Sequence, residues 1–550
     1  MRSVFLLMVF CLLYSHLFSQ NSSGLDEVKD DIYYDRIAEA KQKLLDLLND
    51  NESHSDAYYI LSELFLEEPK LDSAEWVIEQ GIQNAENLGL KRKLYSNLLI
   101  SRAHLKLEKG LLLEARQEME AILKENKYRK IADIIAVAKA HIVSKNGDLT
   151  WAIEILEKAK AKESKNTDIL LLLGDAYRKS ILGGQAIANF DRVNSLQPQL
   201  AEPLFKKGMI YKTQGNPEIY LDLFQKAFQV DSNYAPVLYQ LYDYYFLRDA
   251  SLAEHYLKKY IDHSDYNPKH DYMLADVKYN ARKYNEAISI AKEILAKEGL
   301  NAQPRLYKLI SYSYLELGDS LQAFQNINTY FDKQVPTDLL AKDFELKAVL
   351  TENVDGDKSG SIKWYKKALQ LDSTGKDSVG YMIKLANLEK QLGDREEEAY
   401  WRGQIFRSKI KPTNLDLYEW GVSLYFSKAY PTADSVFSIY EEKYPEQLYG
   451  YLWRARSNAA IDTSMMLGLA VPHYNKFIEL AAIDSVKNKS LLLQAYQYMG
   501  AYEANVTKNY LASKEYFTKV LMLKPSDPDA DKSIKLLEKL IQEANVENDK

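Results

Sequence analysis

Apolar residues in this chain fall into short runs with helical spacing, and the runs themselves recur along the sequence. Sliding the segment Asp168 to Pro198 by 34 residues lays it on Glu202 to Ser232 without a gap. Leu170 then meets Leu204, Gly174 meets Gly208, Tyr177 meets Tyr211, Phe190 meets Phe224 and Val193 meets Ala227. The pattern predicts a first helix carrying a small residue and a second helix carrying Ala and Phe, joined by a short turn. A spacing of 12 from the small residue to Ala also links Ser62 to Ala74, Ala103 to Ala115, Ala140 to Ala152, Ala275 to Ala287, Ser311 to Ala323 and Gly421 to Ala433. Weaker copies lie near Val237 to Tyr260, Lys342 to Ser373, Met382 to Pro412, Tyr451 to Ala482 and Gln494 to Pro525. About thirteen pairs are expected, led by a helix over Tyr33 to Leu48. After Pro525, residues Ile534, Leu537, Leu540 and Ile541 share one helical face, as expected of a terminal helix that covers the last open groove.

The set Leu170, Leu173, Gly174, Tyr177, Ala186, Phe190 and Pro198 resembles the tetratricopeptide repeat, and Gly421, Ala433, Phe437, Tyr440 and Pro445 repeat it. The resemblance covers roughly residues 30 to 545 and implies an all-α fold, a right-handed α-solenoid or superhelix with a capping helix. The expected organisation is a signal peptide over 1–20, a short polar linker over 21–32, repeats over 33–166, 167–340 and 341–525, and a capping helix and tail over 526–550. The resemblance also implies that the first helices line a concave groove where partners bind. Residues flanking the packing positions of consecutive first helices are the candidates: Asp175 and Arg178; Phe205, Met209 and Lys212; Tyr239 and Asp243; Tyr272, Asp276 and Tyr279; Lys308 and Tyr312. Phe205, Tyr239, Tyr272 and Tyr312 would form an aromatic ladder, useful for binding because a tyrosine ring offers rigid contact area and one hydroxyl. Tyr177 and Tyr211, at family packing positions, are expected to pack between helices.

Composition changes the picture in three ways. Only 22 Gly and 14 Pro interrupt 550 residues, which suits helices joined by tight turns. The formal charge of -7 comes from 78 acidic and 71 basic residues mixed along the chain, which argues against nucleic acid as a partner. Tyrosine is abundant, 41 residues beside 17 Phe and 6 Trp, and the excess is divided between packing and the groove.

The first twenty residues place the chain in a compartment. Arg2, the apolar run Val4 to Phe18 and the exit Ser19-Gln20 form a secretory signal, with cleavage near Gln20 as the first reading and a retained anchor as the second. The ending is similar to export signals of the Bacteroidota. Cys11, the only cysteine, follows Phe10 rather than a small residue, which argues against lipidation. A cleaved chain would carry no disulfide and no thiolate zinc site. No second apolar run is long enough for a transmembrane anchor, and the expected location is periplasmic or secreted.

Catalytic chemistry is hard to find. The histidines His54, His104, His141, His255, His263, His270 and His473 do not share a metal-binding spacing, and no phosphate loop or nucleophile elbow is present. The stretch Thr351 to Ser361 has Asp355, Gly356 and Asp357 but not the acidic spacing of a calcium loop, and reads as an inter-helix turn. Six Asp-Ser pairs resemble O-glycosylation acceptors of exported Bacteroidota proteins, although Asp-Ser is also ordinary turn chemistry. The expectation is therefore a non-enzymatic, cofactor-free adaptor for protein or peptide partners, within a larger envelope complex serving assembly, secretion or motility. A carbohydrate- or peptidoglycan-binding solenoid using its groove tyrosines is the alternative.

Overall fold

The computed structural model describes residues 24–50, 54–68 and 70–548, so the expected signal segment, its cleavage site and Cys11 lie outside the described residues. Among the described residues there is no strand. Thirteen helix pairs run from Ser55 to Leu523, followed by the helix Pro528–Asn548. The chain divides into two compact units with the boundary between Ala302 and Gln303.

Steric fit sets the pairing. A Cβ built at Gly174 would lie 2.2 Å from the ring of Phe190, at Gly208 2.5 Å from Phe224, and at Gly421 2.5 Å from Phe437. Each phenylalanine is fully buried, so the glycine leaves the space that the ring of the second helix fills. Where serine takes the small position, as at Ser311, its hydroxyl donates to the Ala323 carbonyl of the second helix at 2.7 Å and remains satisfied in the core. The second-helix alanines of the register, Ala74, Ala115, Ala152, Ala186, Ala287, Ala323 and Ala433, are fully buried.

Turn chemistry follows the same logic. Asn166, Asn216, Asp249, Asp319 and Asp394 accept hydrogen bonds from the first free amides of the helices they precede. Asp357, in the acidic stretch after Thr351, does the same for Gly360 at 2.8 Å, which gives that carboxylate a structural role at a helix start. At the far end Leu537 is buried and Ile534, Leu540 and Ile541 are half-buried in a helix packed on Tyr510–Leu523.

One segment departs from expectation. Residues 24–33, which include most of the expected linker, are helical, and the lead helix expected over Tyr33 to Leu48 starts later, as Ile37–Asp50. The cause is burial: Val28 is fully buried beside Ala40, Leu44 and Leu61, so the polar-looking stretch supplies an apolar stripe to the first core.

Candidate functional site

The first unit carries an open cavity of about 650 Å³ lined by four of its first helices. Ser55–Glu67 contributes Tyr59, Glu63 and Glu67; Ile131–Val143 contributes Lys139 and Ile142; Thr167–Lys179 contributes Leu172, Asp175 and Arg178; Glu202–Thr213 contributes Phe205, Lys206 and Met209. Lys29 and Ile32 of the leading helix close one side. Four of the residues expected in the groove, Asp175, Arg178, Phe205 and Met209, are thus brought together.

The cavity's carboxylates are paired. Glu67 holds Lys139 at 2.8 Å, Asp175 holds Lys206, and Glu63 meets the buried His104 ring at 3.1 Å while accepting from Ser101 at 2.6 Å. Burial alone would raise the Glu63 carboxyl, but the charge and hydrogen bond of His104, with Lys139 and Ser101, together hold the group below the usual range. Burial would likewise lower His104, and the charge and hydrogen bond of Glu63, with the charge of Glu108, together raise it. Burial pushes the Tyr59 hydroxyl well above its ordinary range, so it acts as a neutral donor and acceptor. With its acids satisfied in place, the cavity presents a mainly apolar wall with Arg178 exposed at its side.

The remaining candidates divide. Lys212 donates to Gln240 at 2.6 Å and to Asp243 at 2.8 Å, so Lys212 and Asp243 link neighbouring first helices. Tyr239 is exposed and shares a smaller cavity of about 230 Å³ with Asp35, Phe205, Pro236, Gln240 and Tyr260. Tyr272 does not belong to an open ladder. It is buried, because its hydroxyl is drawn 2.6 Å from Glu298 at the end of the second helix of its own pair. Tyr279 packs on Tyr284 at 5.6 Å and Asp276 is half-buried, so neither faces the cavity. Lys308 and Tyr312 belong to the second unit, where Lys308 pairs with Asp343 at 2.9 Å and Tyr312 packs beside Ile327 and Tyr330. Tyr177 is half-buried, packs on the core and donates to Glu157 at 3.0 Å, and Tyr211 is half-buried beside Phe224.

Two features went unread in the sequence. Glu63 and His104 each follow the small residue of their helix by one position, as Asp175 and Met209 do, so the register held their signal. The second feature had no periodic signal. The leading pair reaches the turns that precede the helices Glu202–Thr213, Ala235–Tyr245 and Pro268–Asn280: Tyr33 lies 4.8 Å from Tyr234, and its hydroxyl accepts from the Ala201 amide at 3.3 Å. Asp265 accepts from the amides of Ala38 at 2.6 Å and Glu39 at 3.3 Å, capping a helix more than 220 residues earlier in the chain.

No family model matches the chain, and no curated protein matches it. Among solved structures it is similar to the C-terminal part of a TPR repeat-containing protein from Cytophaga hutchinsonii, at 29% identity over 47% of this chain and 98% of that one, with a TM-score of 0.34. It is also similar to a tetratricopeptide repeat protein from Parabacteroides merdae, at 16% identity over 52% of this chain and 96% of that one, with a TM-score of 0.22. A third is YrrB, a TPR protein with an unusual peptide-binding site, at 14% identity over 36% of this chain and 96% of that one, with a TM-score of 0.23. The helix pairing and the register of glycine, phenylalanine and alanine make this chain an all-α repeat protein of the tetratricopeptide type.

Proposed function

We propose that the protein is an exported interaction scaffold that holds a protein or peptide partner against the inner face of its first unit. The observation that carries this reading is the convergence of Tyr59, Leu172, Arg178, Phe205 and Met209 from three first helices, Ser55–Glu67, Thr167–Lys179 and Glu202–Thr213, on one cavity whose acids are already paired. Apolar and aromatic side chains beside a few cations suit a partner segment with apolar anchors. The reading is of a binder and not a catalyst, and membership of an envelope assembly, secretion or motility machine belongs to the same proposal. Export rests on the apolar run from Val4 to Phe18. Among the described residues no helix is long and apolar enough to cross a membrane.

The test is a crosslinking pull-down from the native envelope with wild type and Phe205→Ala/Tyr239→Ala. Loss of specific partners is expected from the variant; equal recovery from both would remove the inner-face assignment.

A second reading, carbohydrate binding, draws support from the second unit. Tyr418 and the exposed Tyr449 lie 5.7 Å apart around a cavity of about 370 Å³, with Asn414 donating to Gln447 at 3.2 Å at its base. Glycan-array binding by the wild type that disappears in Tyr449→Ala would favour it, and a blank array would end it.

A further inference from the structure

The helix Thr167–Lys179 serves two cavities. Leu172, Asp175 and Lys179 line the inner cavity, while Leu170 and Tyr177, seven residues apart and so on the opposite face, line a second cavity of about 640 Å³. Its walls are the two flanking second helices: Leu149–Lys162 contributes Glu157 and Lys160, and Gly183–Leu196 contributes Gln185, Ala188, Asn189 and Arg192. Among the described residues Glu157 is the one acid that lines it, and a single oxygen of Glu157 accepts from Lys160 at 2.8 Å and from the Tyr177 hydroxyl at 3.0 Å. Arg192 is exposed and, among the described residues, has no carboxylate partner.

The 34-residue register sets this cation apart from its neighbours. In the pair before, Lys158 stands in the place of Arg192 and is matched by Glu154 at 2.5 Å; in the pair after, Lys226 stands there and is matched by Asp222 at 2.7 Å. The place of Glu154 and Asp222 is taken by Ala188 here. A small side chain where the neighbouring pairs carry an acid leaves room beside Arg192 and leaves its charge unopposed. Neutral polar groups share the lining: the Gln185 amide, the Ser164 hydroxyl, and the Asn189 amide, whose Nδ2 donates to the Gln185 carbonyl at 2.9 Å.

We infer that this second cavity binds a hydroxylated carboxylate, a sugar acid, whose carboxylate takes the place beside Arg192 that Glu154 and Asp222 fill in the neighbouring pairs. A guanidinium holds a carboxylate through two parallel N–H donors, and Lys160 adds a second cation from the other wall. Sugar hydroxyls both donate and accept, which the amides of Gln185 and Asn189 and the hydroxyl of Ser164 match. The cavity is of small-ligand size, within the usual range of roughly 300–1,000 Å³. An acidic peptide fits less well, because the apolar lining is confined to Leu170, the Tyr177 ring and two alanines, and offers no pocket for an apolar anchor. The site lies on the opposite face of Thr167–Lys179 from the inner cavity, so either can fail without the other.

The probe is glucuronate, titrated calorimetrically into the full chain beside glucose, acetate and a triglutamate peptide. Glucuronate is expected to bind at least tenfold more tightly than any of the three. Arg192→Gln removes the cation, and Ala188→Asp supplies the acid that the neighbouring pairs carry; each should weaken glucuronate binding at least tenfold. Both positions are exposed, so the variants keep the helix, which circular dichroism checks. Lys226→Gln, at the same register position of the next pair, should leave binding unchanged. A glucuronate trisaccharide that binds more tightly than the monomer assigns the ligand to an acidic polysaccharide, and equal affinity assigns it to a free sugar acid; either agrees with the inference. Absence of glucuronate binding, unchanged binding in Arg192→Gln or in Ala188→Asp, or equal affinity for glucose, acetate or the peptide would overturn it.

Discussion

The seam between paired helices and the seam between the leading pair and the turns that carry Ala201, Tyr234 and Asp265 are built by opposite means. At the first, Gly208 gives its space to Phe224, 16 residues away, and the fit is wholly steric and dry. At the second, Tyr33 and Asp265 make hydrogen bonds and a cap across 168 and more than 220 residues. A local steric seam closes at little entropic cost, while the distant polar seam has to overcome the closure of a long stretch of chain.

The largest expected effect attacks the steric seam. Phe224→Ala should destabilise the first unit by about 3–5 kcal/mol, the range for emptying a buried phenylalanine site, seen as a lower denaturant midpoint in chemical unfolding. Gly208→Leu should fail more severely, since even a Cβ there lies 2.5 Å from the ring.

The next effect is set by pH. His141 is buried with its Nδ1 accepting from the Asp148 amide at 2.9 Å, and burial lowers its pKa from 6.5 to about 4. The unfolded chain therefore takes up a proton at this site in a range where the folded chain does not. Its contribution is fully present above pH 6.5 and is lost as pH falls from there to about 4, amounting to about 3 kcal/mol across the window. Thermal unfolding at stepped pH should show that decline, and His141→Gln, which retains an acceptor but does not titrate, should flatten it. His104 carries the opposite sign, because Glu63 raises it, so its stabilisation is present at low pH and fades as pH rises through its folded value.

Asp265→Ala comes third, with about 1 kcal/mol expected for a lost cap, read as faster exchange at the start of helix Ile37–Asp50 rather than as a global shift. The smallest belongs to the outer surface. Asp222→Ala, which breaks an exposed pair with Lys226, should change stability by less than about 0.5 kcal/mol.

What the sequence disclosed follows the same division. The packing register was legible because Gly174, Phe190 and Ala186 lie within one repeat, and the same spacing recurs at Gly208 and Gly421. The cavity was half legible: Asp175, Arg178, Phe205 and Met209 converge because they share a helix face. Tyr272 occupies the equivalent place, yet it is buried, with its hydroxyl donating to Glu298 at 2.6 Å. Glu63 and His104 sat in the register unread because a charged pair between helices has no apolar period. Tyr33 and Asp265 had no local signal at all, since nothing in the spacing of residues joins a turn to a helix start more than 220 positions away.

A partner seated on the inner face of the first unit lies within reach of Arg178 and Met209. Photocrosslinking amino acids at these two positions, with controls at the exposed Lys226 and Lys258 of second helices, test that placement in the native envelope. Partner adducts are expected at Arg178 and Met209 and not at the controls; adducts at Lys226 or Lys258 with none at Arg178 and Met209 would overturn the placement.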